Sequence, residues 1–385
     1  MTRKTIQKMS SSYTIKDNKL FIHDFKDRFD YRSSEKWREQ ITTLVIEDGV
    51  TEIPNGAFQY FKRLEEVHLP DSLKKIGGSA FSQCESLTKV LLPNSLESLG
   101  SYAFQDTPGL RELFLPSSLT VLEKQALYIG SGSRLYAVHV AADNSAFTSV
   151  NGVLFNKDMT RLIKYPSAKR LADYRVPGTV TVIAEDAFAH TNYLHRIVLP
   201  KTLRILGSGV FSFCNHIEEL IIPEHVEEIP SYAFFCCERM ERLVLPPRIK
   251  YLGYESICNC SRLMELKLPS GFTQLDYAAV GGNPRLKELV IPEGVTELNN
   301  SALIDDTGLR RVVLPSSLTA IWDHAFQRCS SLEEIEIPEN VEYIDDEAFL
   351  GCTGLRRVYM RSKHIRDDRW LPDELKAKVT IEYRM

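Results

Sequence analysis

The sequence predicts a curved, right-handed solenoid, mixed but rich in β-structure, built from stacked 23-residue units. Three observations predict it. Leu, Ile or Met recurs at 41, 64, 87 and 110, and again at 171, 194, 217, 240, 263, 286, 309, 332 and 355, both series stepping by 23. Proline follows six residues after eleven of these block starts, from Pro70 to Pro338. An Ala-Phe pair closes most blocks, as in Ala57-Phe58, Ala187-Phe188 and Ala325-Phe326. Self-similarity at a period of 20–29 residues with this leucine pattern is the signature of a leucine-rich solenoid, in which neighbouring units share one core.

Each position of the 23-residue unit has a physical reading. Slots 1, 4 and 6 are apolar (Leu286, Leu289, Ile291), and slots 3 to 6 alternate, which is strand periodicity. One strand per repeat should pair in parallel with its neighbours to form a concave sheet, with strands about 4.8 Å apart. Slot 7 proline cannot donate to a ladder and marks where each strand stops pairing. Slots 10 and 13 return to the core (Val295, Leu298), and slot 14, often Gly, Asp or Asn as at Gly77, Gly207 and Asp345, suits a turn. The slot-17 small residue lets turns approach, and the slot-18 phenylalanines should stack from repeat to repeat. Six of the eight cysteines share slot 21 (Cys84, Cys214, Cys237, Cys260, Cys329, Cys352), a packing position. Cys236 and Cys258 are extra. Cys236-Cys237 with Cys258-x-Cys260 admits a thiolate metal reading, but the slot already explains half of that set, so no metal and no cofactor are expected.

The ends lack the repeat. Residues 1–40 read as an N-terminal cap: two short strands, Tyr13 to Ile15 and Leu20 to His23, around Asp17-Asn18, then Phe25, Phe29, Tyr31 and Trp37 as aromatic cover. The solenoid is assigned to 41–354. Residues 355–385 form the C-terminal cap, with a short helix in Trp370 to Lys378 and a last strand from Val379 to Tyr383. At about 135–170 the period breaks; Gly152 to Phe155 and Leu162 to Pro166 read as an inserted β-hairpin.

The repeat series Leu69-Pro70 with Ile76-Gly77-Gly78-Ser79-Ala80-Phe81-Ser82-Gln83-Cys84, and its copy in Ile337-Pro338, Ile344, Ala348-Phe349 and Cys352, resembles the BspA-like (Treponema pallidum type) leucine-rich repeat proteins. The segment Asn151 to Asp158 resembles an insertion familiar in that family. The resemblance spans about 13–360 and implies a mostly bacterial or protist origin, often with display on surfaces for adhesion to host proteins. It transfers no functional residues.

Bulk properties narrow the function. A formal net charge of -4 favours neither nucleic acid nor an anionic membrane. No run of 18 apolar residues predicts a membrane span, and the polar start, Met1 to Tyr13, lacks a secretory apolar stretch. A cytoplasmic protein is therefore expected, with cell-surface or secreted display as the alternative, and a monomer is favoured. No nucleophile elbow, phosphate loop or H-E-x-x-H occurs. His216-Ile217-Glu218-Glu219 lacks a second histidine, and His190, His195 and His216 read as scattered polar residues. The chain is expected not to be an enzyme.

The informative surface is slot 5, which should face solvent between two inward residues. Nine of its fourteen occupants are aliphatic or aromatic. Valines in strands need no further reason, but Leu91 and Phe114 do. The expected partner-binding stripe is His68, Leu91, Phe114, His139, Val198, Ile221, Val244, Val290, Val313 and Tyr359, and the expected partner is a protein. Slot 3 beside it alternates charge (Arg196, Glu219, Arg242, Glu265), so adjacent strands can pair laterally. A secondary candidate lies in the blocks at 240, 263 and 286. There the Ala-Phe pair degenerates to Ser256-Ile257, Ala279-Val280 and Ala302-Leu303, Asn283 and Asp306 replace the cysteine, and Tyr254 and Tyr277 share slot 15.

Overall fold

The computed structural model describes residues 8–9, 12–25 and 38–384. Of the expected N-terminal aromatic cover, Phe29, Tyr31 and Trp37 lie outside the described residues. The chain forms two compact units, Met1–Arg170 and Leu171–Met385. Both are β-solenoids of parallel strands with little helix.

In the first unit, Tyr13–Lys16 and Lys19–Ile22 pair antiparallel through a turn at Asp17 (φ 48) and Asn18 (φ 62), residue types that tolerate left-handed backbone. Lys19–Ile22 then pairs in parallel with Thr43–Ile46, the first repeat strand. Thr43–Ile46 pairs with Glu66–His68, and that strand with Lys89–Val90, each 23 residues on. In the second unit Asp173–Arg175, Arg196–Val198, Glu219–Ile221 and Arg242–Val244 form a four-stranded parallel sheet. Glu288–Val290 pairs with Arg311–Val313, and Glu334–Ile337 with Arg357–Met360. The main-sheet strands of both units stop before slot 7. Where slot 7 is not proline its N–H does bond back, Glu47 to the Ile22 carbonyl (2.9 Å) and Arg361 to that of Ile337 (3.0 Å).

The expectation of one strand per repeat is corrected. Slots 12 and 13 form a second parallel ladder, as in Glu52–Ile53, Lys75–Ile76 and Ser98–Leu99 of the first unit and Glu228–Ile229, Tyr251–Leu252 and Gln274–Leu275 of the second. A two-residue strand is too short to show alternation, so its sequence signal is weak.

Slot 14 opens a turn as expected: its carbonyl accepts the N–H three residues on, as from Ala80 to Gly77, Ala103 to Gly100 and Val210 to Gly207, each at 3.3 Å. Gly77, Gly100 and Gly207 there lack positive φ; a Cβ on Gly207 would meet the backbone N of Glu185 at 2.3 Å, so glycine serves close approach of adjacent turns. The left-handed positions are slots 16 and 20, and they accept many residue types: Tyr60 (φ 68), Gln83 (φ 60), Tyr102 (φ 57), Phe213 (φ 57) and Tyr232 (φ 59). Such backbone costs L-residues roughly 1–2 kcal/mol apiece. A ladder of bonds across the repeats offsets it. The N–H groups of Gly56, Phe58 and Tyr60 donate to the carbonyls of Gly78, Ala80 and Ser82 at 2.8, 2.8 and 2.9 Å.

Phenylalanine columns fill the core behind this ladder. Phe58, Phe81 and Phe104 stack with ring centroids 5.6 and 5.7 Å apart, Phe188, Phe211 and Phe234 at 5.3 and 5.6 Å, and Phe326 and Phe349 at 5.0 Å. Phe25 meets Phe58 edge-on in the first unit, and Trp370 meets Phe349 edge-on in the second. Beyond Trp370 come the short helix α1 (Asp373–Lys376) and a final strand, Thr380–Tyr383, parallel to Arg357–Met360.

The insertion is larger than a hairpin. Phe147–Val150 pairs antiparallel with Val153–Asn156, which pairs antiparallel with Arg161–Lys164, a three-stranded meander. Val153, Leu154, Phe155, Leu162 and Tyr165 are fully buried, so the insertion carries core of its own.

Candidate functional site

Slot 5 faces solvent in both units because it alternates with the inward slot 4 and a buried or half-buried slot 6 on a pleated strand. None of its fourteen residues is buried. Leu91 is 60% exposed, Ile221 58%, and Phe114 and Val290 50% each, high values for apolar side chains that a folding core would hide.

In the first unit Phe114 and His139 sit directly across the parallel pair Glu112–Leu115 and Ala137–Val140, with rings stacked at 4.5 Å and 19°. His139 Nε2 also meets Glu112 Oε1 at 3.1 Å, and hydrogen bonds from His139 and Tyr136 hold the Glu112 carboxyl below its ordinary range. His68, one strand pair away from Leu91, is exposed and meets Glu66 at 3.1 Å.

In the second unit the stripe divides. Val198, Ile221 and Val244 floor a groove of about 930 Å3 rimmed by Arg196, Glu219 and Pro223. Lys267 interrupts the stripe, exposed and paired with Glu265 at 2.7 Å. The apolar run resumes at Val290 and Val313, which oppose each other. Tyr359 is partly covered: the Arg384 guanidinium lies 3.5 Å from its ring centroid, and its hydroxyl donates to Glu334 at 3.3 Å. Arg384 follows the last strand, which pairs with the strand of Tyr359, so chain spacing brings the two near each other, but the ring contact itself was not legible in the sequence.

The lateral charge pairs form as the strand register requires. Arg311 bonds Glu288 at 2.8 Å, Arg357 bonds Glu334 at 3.0 Å, and Arg242 pairs with Glu219. They flank the stripe and are solvent-exposed, so their main consequence is register, not stability.

Tyr254 and Tyr277 stack at 5.0 Å and 10°, and Tyr232 joins them 5.2 Å from Tyr254. The side-chain hydrogen bond with Glu255, then burial, raises the Tyr254 phenol well above its ordinary range. Because stacked rings cover one another's faces, this column offers chiefly ring edges and hydroxyls to solvent.

The cysteines are structural. Each slot-21 thiol donates to the slot-18 carbonyl 26 residues earlier: Cys84 to Phe58 (3.3 Å), Cys214 to Phe188 (3.2 Å), Cys352 to Phe326 (3.0 Å). Burial pushes the Cys352 thiol up to about 12 and Cys236 to about 11, which keeps them protonated and poor as nucleophiles or ligands. Sequence reading identified the buried slot but not this bond, which needs the carbonyl's direction. Among the described residues one group, Asp323, His324 and Glu347, could offer three donor atoms to a metal. Its imidazole contacts a carboxylate at each nitrogen, Asp323 at Nδ1 and Glu347 at Nε2 (3.1 Å). Of the scattered histidines, His195 and His216 do meet, rings 5.4 Å apart; burial, with Arg239 and His195 nearby, holds His216 below its ordinary range. No helix of the described residues is long and apolar enough to cross a membrane.

Comparison with known proteins supports the repeat reading. Among curated protein sequences there is no match. A solved leucine-rich repeat protein from Eubacterium ventriosum is similar over 93% of this chain and 95% of its own, at 20% identity and a TM-score of 0.63. The pneumococcal vaccine antigen PcpA is similar over 90% of this chain and 78% of its own, at 25% identity and a TM-score of 0.52. The family model "BspA type Leucine rich repeat region (6 copies)" matches residues 36–151, 165–284 and 278–368, and the chain belongs to that family of leucine-rich repeat proteins.

Proposed function

We propose that this protein is a non-catalytic scaffold that binds a protein partner through the slot-5 residues of its parallel sheets. Leucine-rich repeat families commonly bind proteins and are generally not enzymes, which supports the class of function. The observation that carries the finer reading is the exposure of Leu91, Phe114, Ile221 and Val290 at positions where folding gains nothing from an apolar side chain. The groove over Val198, Ile221 and Val244, rimmed by charge, has the composition of an interface core with a polar edge.

The test is a paired capture experiment. Wild type and a triple variant, Leu91→Glu, Phe114→Glu and Ile221→Glu, are used as baits in lysate of the native organism. Because slot 5 faces solvent, the triple variant should keep the wild-type melting temperature. The reading expects a partner held by wild type and lost by the folded variant. Capture of the same set by both baits sinks it.

A second reading has the same face binding outside the cell. Its support is the similarity to PcpA, described as a pneumococcal vaccine antigen. Protease treatment of intact cells distinguishes the two readings: cleavage of the protein without lysis supports surface display, and full protection supports an intracellular scaffold.

A further inference from the structure

At slot 21 the cysteines and Asn283 share one pattern, which Phe61, with no polar group, and Thr107, which donates to Phe104 in its own repeat, do not follow. The side chain accepts the slot-21 backbone N–H of the repeat before it and donates to the slot-18 carbonyl 26 residues back. Asn283 obeys both halves: Oδ1 accepts from the Cys260 N–H at 3.0 Å, and Nδ2 donates to the Ile257 carbonyl at 3.1 Å. The thiols of Cys237, Cys260 and Cys329 make the donating half at 3.1–3.2 Å. Every one of these side chains carries a hydrogen to give.

Asp306 breaks the rule if it is ionised. Its Oδ1 accepts from the Asn283 N–H at 2.8 Å, the accepting half. Its Oδ2 is buried with no hydrogen-bond partner, and the whole residue has no exposed surface. A carboxylate there would have nothing to donate and an unpartnered oxygen in the core, which is costly. The 26-residue register names the Val280 carbonyl as the acceptor a proton on Oδ2 would find.

The titratable groups around it do not offer a countercharge. Asp305, the chain neighbour, is acidic and already engaged by Arg328, whose Nη2 reaches it at 2.6 Å. Cys329 from the following repeat and Cys258 from two repeats before are thiols held protonated by burial. Burial pushes the Asp306 carboxyl well above the ordinary carboxylate range, against the pull of the hydrogen bonds from Asn283.

We propose that Asp306 is carried as a neutral carboxylic acid that completes the slot-21 ladder, and that the repeats at 263, 286 and 309 form a proton-sensitive tier that loosens as pH rises. The sign follows from linkage. An acid with a raised folded-state affinity for its proton contributes full stability below the unfolded-state value, about 3.9, and loses it as pH climbs toward the folded-state value. Val290 and Val313 of the slot-5 face belong to two of these repeats, so loosening of the tier would reach that face. The inference does not depend on what the face binds.

The test compares urea midpoints between about pH 5 and about pH 8, a range above the ordinary carboxylate value. Wild type, Asp306→Asn, Asp306→Cys and the control Asp305→Asn are measured. The wild-type midpoint should fall with pH, the Asp306→Asn and Asp306→Cys midpoints should fall distinctly less, and Asp305→Asn should track wild type. Infrared difference spectra at about pH 6, above that same ordinary value, should show a carboxylic-acid carbonyl stretch in wild type that is missing from Asp306→Asn. Reaction of Cys329 with a thiol reagent, relative to Cys84 in the same sample, should rise with pH more in wild type than in Asp306→Asn. Should Asp306→Asn fail to fold, Asp306→Cys, which restores the residue of the sister repeats, carries the comparison. Parallel midpoint profiles for wild type and both Asp306 variants, or no acid band assignable to Asp306, overturn the proposal.

Discussion

The turns at Phe188, Phe211 and Phe234 and the turns at Ile257, Val280 and Leu303 belong to the same unit and the same 23-residue frame, yet they fill slots 18 and 21 differently. In the first stretch flat rings stack at 5.3 and 5.6 Å, and buried thiols of Cys214 and Cys237 cap the slot-18 carbonyls. In the second, aliphatic side chains replace the rings, and Asn283 and Asp306 replace thiols. The aliphatic stretch gains backbone pairing: Ile257–Cys258 runs parallel to Val280–Gly281, a strand pair described in no other turn at these slots. The contrast shows that in these repeats a buried hydrogen-bond donor at slot 21 and volume at slot 18 suffice, not cysteine and phenylalanine as such.

The sharpest way to break that comparison is to remove slot-18 volume in each stretch. Phe211→Ala loses ring contacts above and below and should cost about 3–5 kcal/mol. Ile257→Ala removes less volume and leaves the strand pair intact, and should fall nearer about 2 kcal/mol, the low end for such truncations. Chemical denaturation of both variants gives the ratio. Equal losses would mean that ring stacking adds nothing beyond buried area.

A finer test exchanges the slot-21 donor. Asn283→Cys installs the residue of the sister repeats and should cost about 1 kcal/mol or less, the size of one net hydrogen bond. Asn283→Leu leaves the Cys260 N–H and the Ile257 carbonyl without partners and should cost roughly 1–3 kcal/mol per orphaned group. Thermal melts that rank the two in the opposite order would show that shape, and not hydrogen bonding, selects slot 21.

These experiments also mark where the sequence was readable. The period, the slot-4 and slot-6 core, the solvent-facing slot 5 and the stacked phenylalanines all follow from side-chain periodicity, because period and burial are properties a linear pattern carries. Left-handed backbone at slots 16 and 20 was not readable, since Tyr60, Gln83, Phe213 and Arg328 share no side-chain chemistry that favours it. The repeating hydrogen-bond ladder stabilises that backbone collectively, which no single residue type reports. At Gly207 the turn was legible, but the reason for glycine itself was not: backbone of the preceding repeat lies 2.3 Å from where a Cβ would stand. Tyr359 was legible as an outward aromatic, but the placing of Arg384, one strand on, over its ring depends on side-chain rotamers that a linear pattern does not carry.

The smallest expected effect concerns the exposed charge pairs, and it sharpens the comparison by showing what does not distinguish the stretches. Glu219 pairs with Arg242 where the phenylalanine repeats pass into the aliphatic ones, and Glu288 with Arg311 at 2.8 Å where they pass back to phenylalanine, so the same lateral pair stands at both boundaries. Both pairs are more than half solvent-exposed on the arginine side, where water and salt screen the attraction and ordering two long side chains opposes it. Arg242→Ala and Arg311→Ala should therefore leave the melting temperature unchanged within error at physiological salt, singly and together. A clear loss in either would assign the pair a share in holding the stack.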